Sequence, residues 1–88
     1  MENWTPALIL DKVRSVIATQ LACEVENILP EHTFEKLGAD SVNEVEILVA
    51  LEEELGILLE DGDVAHSVTV QELADTITQD IKNQWRVS

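Results

Sequence analysis

The sequence predicts an all-α protein of one domain, built from three main helices and one short helix. Three segments carry apolar residues at helical spacing, and no segment alternates with period two for long enough to form a strand. The chain has 88 residues, of which 45% are hydrophobic, and this suits one modest core with no room for a second domain. We therefore expect residues 1–88 to form a single helical bundle.

The first helix is predicted to begin at Pro6 and to end near Ala22. Thr5 can cap its start, and proline suits the first helical position because its missing N–H is not needed there. Apolar residues then recur at helical spacing, at Ile9, Val13, Val16, Ile17 and Leu21. The following residues, 23–40, show no sustained period, and their scattered apolar residues predict a loop packed over the core.

The second helix is predicted to run from Asp40-Ser41 to about Leu55, where Gly56 is a typical C-terminal stop. Its apolar residues fall on two sides of the helix, although a helix packed on one core needs only one apolar stripe. One side holds Ile47, Leu48, Leu51 and Leu55, and the other holds the valine stripe, which is Val42, Val45 and Val49. The leucine-rich side is the better core candidate, so the valine stripe is expected to face solvent.

The last helix is predicted to begin at Thr69. Thr69 and Glu72 fit a capping box, in which each side chain satisfies a backbone N–H of the first turn. The connection before this helix spans residues 57–68, and one helical turn over Asp61 to His66 would supply the fourth, short helix of the bundle.

The net charge of −13 argues against nucleic acid and anionic membranes as partners, because both bind basic surfaces. No Lys or Arg lies between Lys36 and Lys82, whereas that stretch holds twelve acidic residues. Such self-repulsion destabilises a compact chain, so the acidic surface indicates basic protein partners. Solubility alone is the simpler explanation of the same charge.

Cysteine content and hydropathy indicate a cytoplasmic protein. Cys23 is the single cysteine, so the chain can form no internal disulfide and fits a reducing compartment. No apolar run approaches the length of a membrane span, and the N-terminus lacks the pattern of a signal peptide. We expect a monomer that does not insert into membranes and that has no metal site, since Asp61-Gly62-Asp63 lacks the remaining ligands of a calcium loop.

The valine stripe and its neighbouring acids form a candidate docking surface. Glu46, Glu52 and Glu53 flank the stripe, and an apolar strip with an acidic rim is typical of a protein interface. The carboxylates would steer a basic partner and fix its orientation, so docking would be fast, weak and salt-sensitive. Alternatively, the last connection covers the valines, or the glutamates are ordinary solvated charges.

Ser41 lies at the start of the second helix, where unpaired backbone N–H groups and the positive end of the helix dipole favour a phosphate group. A Ser or Asp at such a position is usually only a helix cap, and the spacing alone favours that role for Ser41. Asp40 could also cap the helix by itself and leave the Ser41 hydroxyl free.

The run Leu37-Gly38-Ala39-Asp40-Ser41-Val42 resembles the phosphopantetheine attachment motif of acyl carrier proteins, L-G-x-D-S-L. Residues 45–57 resemble the recognition helix of that family, and the likeness covers nearly the whole chain. The resemblance implies an acyl-carrier-like four-helix bundle that is not an enzyme. It also implies that a phosphopantetheinyl transferase attaches 4′-phosphopantetheine, derived from coenzyme A, to Ser41, with Asp40 as the neighbouring acid.

By the same resemblance, the thiol of the attached arm holds acyl groups as thioesters. Acyl-transferring and condensing enzymes with basic docking surfaces would be the partners, in fatty-acid, polyketide or related specialised biosynthesis. Because the chain begins with Met and ends just after the last helix, we expect a free-standing carrier. An aminoacyl or peptidyl carrier is the nearest alternative, and an unmodified acidic scaffold that binds basic partner helices is an alternative from another class.

The resemblance also suggests which side chains touch partners and cargo. Partners of the family touch the positions of Val42, Val45, Glu46, Val49, Glu52 and Glu53. The family can enclose the acyl chain between its helices, here among Phe34, Ile47, Leu51, Leu59, Val64 and Val68, although these residues could equally form core alone. The chain departs from the family at Val42, Glu44 and Leu58, and these departures favour a specialised pathway over a housekeeping fatty-acid role.

Overall fold

A computed structural model of the chain describes residues 4–60 and 68–85, except the side chains of residues 84 and 85. The elements in chain order are α1 (Pro6–Leu21), a 3₁₀ turn (Val25–Asn27), α2 (Ser41–Leu55) and α3 (Val70–Trp85). The predicted all-α architecture is confirmed, and each predicted helix limit lies within one residue of the observed one. The short helix predicted over 61–66 lies outside the described residues, whereas the short helical turn that the structure describes is in the first connection.

The helix ends use the side chains that the sequence predicts. The Thr5 hydroxyl accepts a hydrogen bond from the Leu8 N–H at 3.2 Å and caps α1. At α3 the Thr69 N–H donates to Glu72 Oε1 at 2.9 Å, and the Glu72 N–H donates to Thr69 Oγ1 at 3.0 Å, which completes the predicted capping box. Gly56 ends α2 in the left-handed conformation, with φ 68° and ψ 34°.

The core is aliphatic except for Phe34, which is fully buried. Helix α1 packs against both α2 and α3. The three helices contribute Ile9, Val13, Val16 and Ile17 from α1, Ile47, Leu48, Leu51 and Leu55 from α2, and Val70, Leu73, Ala74, Ile77 and Ile81 from α3. The leucine-rich side of α2 therefore faces the core, as predicted.

Backbone hydrogen bonds tie the connection from α1 to α2 to the start of α3. The Val70 N–H donates to the His32 carbonyl at 2.9 Å, and the Gln71 N–H donates to the Pro30 carbonyl at 2.8 Å. The first N–H groups of a helix have no partner within that helix, so the connection supplies acceptors that α3 itself cannot. The prediction of a loop packed over the core is confirmed.

Arg14 joins the other side of this connection to α1. Its Nε donates to the Ile28 carbonyl at 2.7 Å, and its Nη2 donates to the Val25 carbonyl at 3.0 Å. The side chain is partly buried, so these charge-assisted bonds are shielded from water. Arg14 thereby fixes the 3₁₀ turn and the residues after it on α1.

The Arg14→Met variant should lower the free energy of unfolding by about 2 kcal/mol, because two carbonyl groups lose a charged donor while the apolar stem is kept. Urea denaturation followed by circular dichroism measures this change. Lys82→Met, on the exposed surface of α3, is the matched control and should alter stability by less than about 0.5 kcal/mol. Equal unfolding midpoints for the two variants would contradict the role given to Arg14.

Candidate functional site

The turn that leads into α2 is anchored in the core. Phe34 and Ala39 are buried, and the Ala39 N–H donates to the Phe34 carbonyl at 3.1 Å. Between them, the Gly38 N–H donates to the Glu35 carbonyl at 3.0 Å. Gly38 has φ 80°, a conformation that side-chain-bearing residues rarely adopt, although a Cβ there would meet nothing within 4 Å. Backbone conformation, rather than space, therefore calls for glycine in this motif.

Asp40 caps α2 by itself. Its Oδ1 accepts a hydrogen bond from the Asn43 N–H at 2.8 Å, and Asn43 Oδ1 accepts from the Asp40 N–H at 3.1 Å. This is a capping box with Asn in place of the usual Glu or Gln. The capping role that the spacing alone favours for Ser41 belongs to Asp40, because Ser41 is the first residue of the helix itself.

Ser41 is exposed at the positive end of α2. Within the described part of the chain, its hydroxyl forms no hydrogen bond. The backbone N–H groups of Ser41 and Val42 also find no acceptor among the described residues, whereas those of Asn43 and Glu44 are bonded to Asp40. A free hydroxyl thus lies beside two free N–H donors.

An open recess of about 440 Å³ adjoins the Ser41 hydroxyl. Glu35, Gly38, Ala39, Asp40 and Ser41 line it. Glu35 and Asp40 make the recess acidic, and only the Asp40 carboxylate is engaged, by the Asn43 N–H. The hydroxyl is therefore open to a large reactant from the side of the Gly38 turn.

The valine stripe is exposed on α2, as predicted. Val42, Val45 and Val49 have 63%, 58% and 44% of their surface in contact with solvent, so the described residues do not cover them. Glu46 and Glu53 are also exposed, and neither forms an ion pair or hydrogen bond with a described residue. The apolar strip and these two free carboxylates lie together, because all five residues belong to one helix.

Two other glutamates of α2 have partners that the sequence does not reveal. Glu52 is half-buried, and its Oε2 accepts a hydrogen bond from the Leu59 N–H at 2.9 Å, which ties the start of the second connection to α2. Glu54 forms an ion pair with Lys12 of α1 at 3.0 Å. The interpretation of Glu54 as simple solvated charge is wrong, since these side chains are 42 residues apart and no local pattern relates them.

Most residues suggested for the acyl pocket lie in one core cluster. Phe34, Ile47 and Leu51 are fully buried, Leu59 is buried at the edge, and Val68 is half-buried against the same cluster. Val64 lies outside the described residues. Glu44 is half-buried. Enclosure of an acyl chain by this cluster stays a prediction.

Metal and membrane sites were also sought within residues 4–60 and 68–85. No group of three or more His, Cys, Asp or Glu side chains in those ranges could hold a metal ion. His32 is used structurally, since its Nδ1 accepts a hydrogen bond from the Leu29 N–H at 3.1 Å. In the same ranges, no helix has the length and apolar character needed to cross a membrane.

Comparison with known proteins agrees with the motif. A family model described as a phosphopantetheine attachment site matches residues 11–77. An acyl carrier protein from Thermosynechococcus vestitus is 40% identical over 74 residues, which are 83% of this chain and 91% of that protein. One from Cyanidioschyzon merolae is 39% identical over 80 residues, 90% of this chain and 88% of that protein.

An acyl carrier protein from Nitratidesulfovibrio vulgaris is 36% identical over 69 residues, which are 77% of this chain and 91% of that protein. The family model and all three relatives cover more than two thirds of the chain. The chain therefore belongs to the acyl carrier protein family, whose cofactor, 4′-phosphopantetheine, is attached covalently.

Proposed function

We propose that this protein is a carrier without catalytic activity of its own, loaded with phosphopantetheine at Ser41, and that it presents acyl groups to separate biosynthetic enzymes. The observation that carries the proposal is the exposed and unbonded hydroxyl of Ser41 at the first residue of α2. Residues 1–88 form one carrier domain in this proposal, and a cytoplasmic location stays a prediction.

The residues around Ser41 fit a phosphodiester. The free N–H groups of Ser41 and Val42 can donate to its oxygens, and the positive end of α2 favours its negative charge. Because Asp40 and Asn43 cap the helix, modification of Ser41 removes no bond on which α2 depends. When bound, the arm supplies a flexible thiol that holds acyl groups as thioesters.

Loading requires only the Ser41 oxygen from this chain. That oxygen bonds to the phosphorus that carries pantetheine in coenzyme A, and the pyrophosphate bond at the same phosphorus breaks. Adenosine 3′,5′-bisphosphate leaves with the bonding electrons, and the hydroxyl proton is released. The open recess beside Ser41 gives a transferase and coenzyme A access to the hydroxyl.

The exposed valine stripe supports docking of the transferase and of acyl-transferring and condensing enzymes on α2. Val42, Val45 and Val49 provide contact area, while the free carboxylates of Glu46 and Glu53 attract basic surfaces. Glu52 is the weakest member of the predicted docking set, because its carboxylate already accepts the Leu59 N–H.

The cargo in this proposal is an acyl group of fatty-acid, polyketide or related specialised biosynthesis. Val42 and Leu58 are departures from the usual family pattern, and both are highly exposed, at 63% and 78%. Exposed departures alter what a partner meets without altering the core, which supports partners of a specialised pathway. The relatives are all named acyl carrier proteins, so an acyl cargo is preferred to an aminoacyl or peptidyl cargo.

Incubation with coenzyme A and a phosphopantetheinyl transferase should add one phosphopantetheine group to the wild-type chain and none to Ser41→Ala. Intact-mass spectrometry measures the product. Ser15→Ala, which alters an exposed serine of α1, is the control and should be loaded normally. An unmodified wild-type chain, or a loaded Ser41→Ala chain, would refute the assignment and would favour the acidic scaffold in the first case.

Glu46→Gln combined with Glu53→Gln should reduce kcat/KM for loading by roughly fivefold at low salt, because two exposed charges that attract the transferase are removed. The difference should shrink at high ionic strength. Glu24→Gln combined with Glu26→Gln changes the net charge equally in the exposed first connection and should have little effect. Equal losses in both double variants would mean that net charge, and not the face of α2, governs docking.

A further inference from the structure

Helices α1 and α2 are separated by a surface groove with two adjoining parts. The first part, about 330 Å³, lies beside the valine stripe and is lined by Gln20, Val45, Glu46, Val49, Ala50 and Glu53. The second part, about 250 Å³, lies farther from Ser41, and its lining includes Lys12, Thr19 and Glu54. Gln20 and Ala50 line both parts, so the two form one groove.

The groove has the shape of a helix site. Lys12 pairs with Glu54, whereas Gln20 lies with Glu46, so α1 and α2 run antiparallel along it. The eight-residue step from Lys12 to Gln20 corresponds to about 12 Å of helix, or roughly two turns. A helix that lies lengthwise between two helices can place one apolar side chain on Val45, Val49 and Ala50.

The charge of the groove differs between its ends. At the end near the valine stripe, Glu46 and Glu53 are exposed and form no ion pair with a described residue. At the far end, Glu54 is paired with Lys12 at 3.0 Å, and Thr19 Oγ1 donates to the Ser15 carbonyl at 3.0 Å. One end is therefore negative, and the other is polar with its charges balanced.

We propose that a helix of the partner enzymes docks along this groove with its basic residues confined to the Glu46 and Glu53 end, and that Lys12 excludes basic residues from the other end. The inference rests on the proposed function, since it concerns the enzymes that serve the carrier. It extends the docking surface from α2 onto α1, and it makes Lys12 a residue that determines the orientation of the partner. The occupant is a helix with Lys or Arg at one end and an apolar side chain at its middle.

The Lys12–Glu54 pair acts in two ways on such a helix. The Lys12 ammonium neutralises the carboxylate that would otherwise attract a second basic cluster, and it repels a cation placed there. Repulsion of the wrong arrangement contributes to specificity as much as attraction of the right one. Gln20, at the junction of the two parts, is half-buried and has no hydrogen bond to a described residue, so its amide is free to bond the docked helix.

Two variants that break the same ion pair separate this proposal from a purely structural role. Lys12→Gln frees Glu54, and binding to a phosphopantetheinyl transferase should tighten by roughly two- to fivefold, the range of one exposed charge pair. Glu54→Gln leaves Lys12 unopposed, and binding should weaken by a similar factor. The double variant should bind much as the wild-type chain does. Isothermal titration calorimetry without coenzyme A, in low-salt buffer, measures binding apart from loading.

Lys82→Gln is the matched control, because it makes the same change in net charge on α3 and should leave the affinity nearly unchanged. A second variant, Gln20→Lys, places a cation at the junction and should weaken binding by about tenfold. Circular dichroism checks that each variant keeps its helices.

Changes of the same sign for Lys12→Gln and Glu54→Gln, or equal effects of Lys12→Gln and Lys82→Gln, would overturn the inference. A transferase that does not bind the wild-type chain would also overturn it. A transferase that binds with this charge pattern but adds no phosphopantetheine would refute the proposed function and leave the groove assignment standing. The two failures are thus distinguishable.

Discussion

Burial of the leucine-rich side of α2 against the core is the interaction on which the arrangement of the molecule depends. Ile47, Leu51 and Leu55 are almost completely buried, and this fixes the rotation of α2 about its own axis. With that rotation fixed, the valine stripe must face solvent. A helix with two apolar sides can satisfy one with the core and leave the other for a partner, so the same packing that stabilises the bundle also creates its docking surface.

At the start of α2, capping and chemistry are assigned to adjacent residues. Asp40 and Asn43 satisfy each other's backbone N–H groups, so Ser41 is not needed to hold the helix end. The Phe34 to Ala39 turn, itself anchored in the core, delivers Ser41 to the surface. A rigid approach thus carries an unengaged hydroxyl, which suits a residue that must be reached by an enzyme and then bear a long flexible arm.

Local pattern was enough to predict the helices and much of the candidate site. Apolar spacing and capping residues gave the helix limits, because both act over one or two turns, and the two-sided pattern of α2 gave the exposed valines. Contacts between residues distant in sequence were not predictable. The Lys12–Glu54 pair, the Arg14 bonds to the first connection and the Glu52 bond to Leu59 depend on how helices and loops meet in space. Charge alone also could not separate capping by Asp40 from capping by Ser41, since both residue types serve.

The hydrogen bonds of the first connection divide the bundle into a firmly joined part and a part held mainly by packing. Pro30 and His32 bond the connection to α3, and Arg14 bonds it to α1. In the described part of the chain, no backbone hydrogen bond joins α2 to α1 or α3. Apolar contacts are non-directional and change little with a small sideways displacement. Outward displacement of α2 would therefore break no bond of that framework, and it would widen the interior without unravelling any helix.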